Sequence, residues 1–199
     1  MVARDTAVAP PPPAGYQPAE RFEFPKTGLA ISSIGLFIVL IPLLWQLTWL
    51  LQRQRASTGT IELVGWYGLA LLGLVLLTPV ITIVIHELIH GLVFQAFGYR
   101  VSYGVYWKLG AYAAAFGQFQ QRNHTIVVAL APLVVISVAM LPLLASDNSL
   151  VVICAYVALL VNTSGAVGDI YLTWYLLRVP PATLGYDIDV ENSFFYRPE

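Results

Sequence analysis

Four apolar runs bound what this chain can fold into: Thr27–Leu51, Leu63–Ile85 continuing past a polar motif to Phe97, Ile126–Leu144, and Leu150–Leu177. A helix needs roughly 20 predominantly apolar residues to cross about 30 Å of hydrocarbon, and each run can supply them. The chain is 58% hydrophobic and only 11% charged, with mean hydropathy +0.73. A water-soluble fold would have too little polar surface to cover such helices. The expectation is an all-α membrane protein, a four-transmembrane-helix bundle over residues 27–178, integral and multi-pass in a lipid bilayer, most simply a prokaryotic cell membrane. A three-span alternative makes the second run partly exposed or re-entrant, but its uninterrupted apolar approach from Leu69 to Ile85 favours a full crossing.

The flanks are polar. Residues 1–24 are rich in alanine and proline, include Pro10–Pro13, and carry Glu20, Arg21 and Glu23 with no apolar core, so they read as a flexible tail over 1–26 and not as a signal peptide. With that tail in the cytoplasm, Arg4, Arg21, Lys26, Arg100, Lys108, Arg122, Arg178 and Arg197 fall inside, and only Arg53 and Arg55 outside. The positive-inside rule favours this orientation, with four crossings returning a polar tail over 179–199 to the cytoplasm. Pro180 and Pro181 should end the fourth helix, and Asp187, Asp189 and Glu191 alternate in a strand or an extended tail better suited to solvent or peptide contact than to a second metal site.

Within the second run stands His86-Glu87-Leu88-Ile89-His90. Ionisable groups are costly in hydrocarbon and mark function there by default. At positions i and i+4 the two imidazoles emerge from one helical face and can share a zinc ion, Zn2+, while Glu87 projects to the side as general base. Zinc would activate water and polarise a carbonyl; Glu87 would take the water's proton and pass it to a leaving amine. Pro79 sits one to two turns before the motif, where a bend could open a polar cavity. A metal-free polar packing network and a non-catalytic metal site are the alternatives.

Two histidines need a further ligand at the same depth. Counting inward from Phe97 and Leu177, His90 lies seven residues and Asp169 eight from their helix ends. At 1.5 Å per residue both are about 10–12 Å deep, so antiparallel second and fourth spans can bring Asp169 beside the pair. The fourth span reads Asn162-Thr-Ser-Gly-Ala-Val-Gly-Asp169, where Gly165 and Gly168 permit close helix approach or local unwinding. Asn162 is a candidate donor to a substrate carbonyl or oxyanion, or else a satisfied asparagine in a small-residue seam. His124, at the start of the third span, is a weaker competitor for the metal; Glu62 is interfacial; Cys154, the lone cysteine, packs among apolar neighbours.

Between the second and third spans, Tyr99 to Leu109 alternates with period two, predicting a strand, and Gly110 can turn it into Ala111–Phe119. A short β-hairpin or re-entrant segment results, whose edge could hold an extended peptide by strand addition. An aromatic interfacial loop is the alternative.

HELIHG at His86–Gly91, followed by FGYRVSYGVYW, AYAAAF and NTSGAVGD, resembles the DUF3267 family of membrane zincins, and more distantly the site-2-protease class of intramembrane metalloproteases, over about residues 60–180. The resemblance implies metal ligation by His86 and His90, catalysis by Glu87, and a third ligand from an aspartate of a later helix. Asp169 fits that place, although Ile170 stands where the site-2 pattern has glycine and its usual proline is missing.

The functional expectation is a zinc-dependent intramembrane endopeptidase that cleaves a membrane-associated protein or peptide near the cytoplasmic face. A metal-binding transporter or sensor, or an inert scaffold of the same fold, would tolerate loss of Glu87. No nucleic-acid partner is expected, and glycines on the helices could support a homo-oligomer.

Overall fold

The computed structural model describes residues 8–53, 65–106 and 110–199, with backbone alone for 65–67. Arg4, Arg55, Glu62 and the Trp107–Leu109 end of the expected strand, with Lys108, lie outside the described residues.

The apolar runs form helices where the sequence places them. Helix α1 spans Lys26–Gln52 and α2 spans Gly65–Ala96, the latter unbroken through Pro79. Helix α3 spans Arg122–Met140 and continues as a short 3-10 segment, Leu141–Ala145. The last run divides into α4, Ser149–Gly165, and α5, Val167–Leu176, bent by 41° at the break. Among the described residues, three helices are long and apolar enough to span a bilayer, or four if the bent pair is one span. Their outward faces keep large apolar side chains exposed, with Trp45, Leu76 and Val138 each about two-thirds accessible. Such faces suit lipid rather than water.

The expected hairpin is present. Strand β2, Ser102–Tyr106, pairs antiparallel with β3, Gly110–Ala114, in register from Ser102 opposite Ala114 to Tyr106 opposite Gly110.

A second sheet was not anticipated. Strands β1, Glu20–Phe22, β4, Phe119–Gln121, β5, Leu184–Asp189, and β6, Asn192–Tyr196, form one antiparallel sheet in the order β1-β6-β5-β4. The two segments expected as tails, 1–26 and 179–199, thus supply three of its strands. Pairing of β1 with β6 brings the segment before α1 beside the segment after α5. Buried Phe22, Phe194, Phe195 and Tyr196 explain the order of these short strands, since aromatic rings bury large apolar areas.

The described residues divide into two compact units, each with its own core. One comprises those of Met1–Pro25, Glu87–Ala131 and Gly168–Glu199. In it Phe22, Leu176, Val179 and Phe195 pack together, and Phe94, Ala115 and Val128 form a second cluster. The other comprises those of Lys26–His86 and Pro132–Val167, around Leu44, Leu144, Ala155, Leu159 and Leu160. In the latter, Ser33 Oγ donates to the Ser164 carbonyl at 2.7 Å and the Tyr156 hydroxyl to the Ile41 carbonyl at 2.6 Å, so polar side chains tie helices whose apolar surfaces gain little from one another in lipid. Asn148 caps α4, its Oδ1 accepting from the Leu150 and Val151 amides. Interfacial cations stack on tryptophans: Arg53 over Trp49 at 5.9 Å, and Arg178 over Trp174 at 3.3 Å.

Candidate metal centre

One turn of α2 separates His86 from His90 on a common face. Asp169 comes from the first turn of α5, where the positive end of the helix dipole favours a carboxylate. The break that starts this turn follows Gly165, and neither Gly165 nor Gly168 would bring an added Cβ within 4 Å of any atom. Neither glycine marks a close helix approach. One ligand atom from each of His86, His90 and Asp169 lies within 4.8 Å of the others. His90 is buried; His86 and Asp169 are half-buried. His90 Nε2 stands 3.6 Å from Asp169 Oδ2.

The hydrogen bonds behind the two rings fix how they face this point. His86 Nδ1 lies 2.9 Å from Asn162 Oδ1, and His90 Nδ1 lies 2.9 Å from the Val128 carbonyl oxygen. The carbonyl can only accept, so His90 Nδ1 carries hydrogen and leaves its Nε2 lone pair for a metal. At Asn162 the Nδ2 group approaches the Pro132 carbonyl at 3.5 Å, which turns Oδ1 toward His86. With His86 Nδ1 donating as well, Nε2 is the atom that each ring could offer to a metal.

Asn162 is only 1% exposed and its side chain reaches both His86 and the Pro132 carbonyl. In this position Asn162 backs His86. Glu87 follows His86 on α2 and is half-buried.

The remaining candidates have structural work. His124 Nδ1 pairs with the Tyr99 hydroxyl at 3.0 Å and its ring stacks on Phe97 at 4.0 Å, apart from the ligand cluster. Cys154 is half-buried in α4. Asp189 Oδ1 accepts from the Glu191 and Asn192 amides to form the β5–β6 turn, and Glu191 accepts from the Tyr106 hydroxyl at 3.1 Å. Asp187 is half-buried in the sheet beside Gln120, whose Nε2 donates to it at 2.9 Å and to the Ala115 carbonyl at 3.1 Å. Burial pushes the Asp187 carboxyl above its ordinary range, against the hydrogen bonds from Ser193 and Gln120.

Sequence reading did not foresee the approach of the hairpin to the motif helix. A Cβ at Gly91, the residue after His90, would strike the Tyr103 ring of β2, so glycine is what lets this strand cross beside the second histidine. The Val128 acceptor was also missed, although a signal existed in Pro132, four residues later in α3.

Two imidazoles presenting Nε2 and one carboxylate are a donor set suited to zinc, with positions left over for water or substrate. The fold and site therefore define a multi-pass helical membrane protein with a His/His/Asp cluster able to hold a metal ion. The chain belongs to the DUF3267 family, described as "Putative zincin peptidase", whose model matches residues 79–184, more than half its length. That match takes in the histidine motif, the hairpin, α3 and Asp169. Neither the curated proteins nor the solved structures contain a match to the chain.

Proposed function

We propose that this protein is a zinc-dependent intramembrane endopeptidase that hydrolyses a membrane-associated polypeptide near the cytoplasmic face, with Glu87 as general base. The observation that carries the reading is the meeting of His86, His90 and Asp169, with both ring Nδ1 atoms engaged behind them. A zinc ion held by these residues supplies Lewis acidity, which lowers the pKa of water and polarises a carbonyl oxygen. The carboxylate of Glu87 takes a proton from the attacking water as its oxygen bonds to the scissile carbonyl carbon. The same carboxyl returns that proton to the amide nitrogen as the C–N bond breaks. Asn162 and the Val128 carbonyl hold the imidazoles in one tautomer throughout, so no ring must turn during the reaction.

A regular transmembrane helix shields its peptide bonds, so the substrate has to unwind locally. Among the described residues β2 and β3 pair only with each other, and an outer edge of this hairpin offers backbone partners to an extended segment. Tyr103 brings β2 against the motif helix, which supports delivery of such a segment to His90 and Glu87. The sheet and the segments next to its strands in the same unit include Arg21, Arg100, Arg122, Arg178 and Arg197, a charge bias that favours the cytoplasm.

The test compares purified wild type with Glu87→Gln on a panel of transmembrane peptides. Wild type cleaves at least one, and the variant is slower by about 10²–10⁴-fold while still binding zinc. Equal cleavage by the two rejects the mechanism.

A further inference from the structure

Proline lacks an amide hydrogen, so within a helix it withholds the bond that the carbonyl four residues earlier would accept. In α3, Pro132 stands in this relation to Val128. The Val128 carbonyl is the group that lies 2.9 Å from His90 Nδ1. Both Val128 and His90 are buried, where an acceptor relieved of its helical donor has a strong need for another. The carbonyl of Pro132 itself lies 3.5 Å from Asn162 Nδ2, and the other end of that carboxamide holds His86 Nδ1 at 2.9 Å. Pro132 is among the residues less than 2% exposed, and its side chain carries no donor atom for a metal.

We propose that Pro132 is a positioning residue for the histidine pair: its missing amide hydrogen reserves the Val128 carbonyl for His90 Nδ1, and its own carbonyl orients Asn162 toward His86. The bulk of the effect falls on His90. With an ordinary residue at 132, a new N–H would compete for Val128, the His90 ring would lose its fixed partner, and hydrogen would distribute between Nδ1 and Nε2. A ring with hydrogen on Nε2 cannot offer that atom to a metal. This inference rests on the metal-centre reading for its consequence, but not for its first observable.

That observable is the nitrogen spectrum of metal-free, full-length protein labelled at its histidines, at a pH where the rings are neutral. Wild type should show His86 and His90 as Nδ1–H tautomers. In Pro132→Ala, His90 should move toward a mixture while His124, paired with Tyr99, stays unchanged and reports an intact fold. Zinc affinity should fall by about 10–100-fold, the range for loss of an outer-shell partner. Replacing Pro132 by the α-hydroxy analogue of alanine removes the amide hydrogen without the ring, and should restore the wild-type tautomer and affinity.

A Pro132→Ala protein whose His90 remains wholly Nδ1–H overturns the proposal. So does an α-hydroxy variant that behaves like Pro132→Ala, because the proline would then act through its ring. Expected tautomers in a wild-type protein that takes up no zinc would support the positioning role and remove the metal reading instead.

Discussion

His90 Nε2 and Asp169 Oδ2 stand 3.6 Å apart, with the aspartate contributed by a helix that begins at a break in the last apolar run. The separation exceeds the 2.7–3.2 Å usual for an N–H···O hydrogen bond. It is near the about 3.3 Å expected between two ligands on one tetrahedral zinc with bonds of about 2.0–2.1 Å. Asp169→Ala should therefore weaken zinc binding by more than the about 100-fold upper end for outer-shell changes. Titration against a competing chelator checks this, with His124→Ala retaining wild-type affinity as the contrasting case.

Asn162→Ala removes the acceptor behind His86 and leaves every ligand in place. Zinc affinity should drop by about 10–100-fold, with peptide cleavage recovering at high zinc. Cleavage that stays low under saturating zinc would instead give Asn162 a direct part in the reaction.

Gly91→Ala puts a methyl group where the Tyr103 ring lies. The ring is exposed on β2 and can swing aside at little cost in stability, but its contact with the motif helix beside His90 is then lost. Gly91→Ala should slow cleavage, and adding Tyr103→Ala should recover part of the loss. A double-mutant cycle measures that coupling, and strict additivity would separate the two residues.

How much of this was legible beforehand follows from the range of each signal. Hydropathy over about 20 residues identifies spans because lipid leaves the backbone few other choices. Depth counting found Asp169 because helical rise is fixed, even though the helix that carries it proved to be broken. Alternation found the β2–β3 pair. The sheet of β1, β4, β5 and β6 escaped because its strands are short and its pairing joins opposite ends of the chain; Arg21 faces Phe194 across 173 residues of sequence. Asn162 was found as a polar residue near the site, but its partner depends on which neighbour comes within reach, and spacing along one helix is silent on that.

Stability of the sheet should depend on pH through Asp187. Its folded carboxyl titrates above the ordinary 3.8, because burial disfavours the charge. The folded state then binds more protons than the unfolded state between those two values, so its contribution is present below about 3.8 and is lost as pH rises through the folded value. Asp187→Asn should raise the unfolding temperature near neutral pH and give no gain in acid. Thermal unfolding in detergent at a series of pH values measures the difference, and an equal gain at all pH values would contradict it.

The central claim is that His86, His90 and Asp169 grip one zinc ion. Anomalous diffraction at the zinc edge, on crystals of gently purified protein with its metal content determined, tests it most directly. The account predicts a single peak within bonding distance of both Nε2 atoms and an Asp169 oxygen, at about one zinc per chain. A protein fully active without zinc, or a peak bound elsewhere with Asp169 turned away, would contradict it.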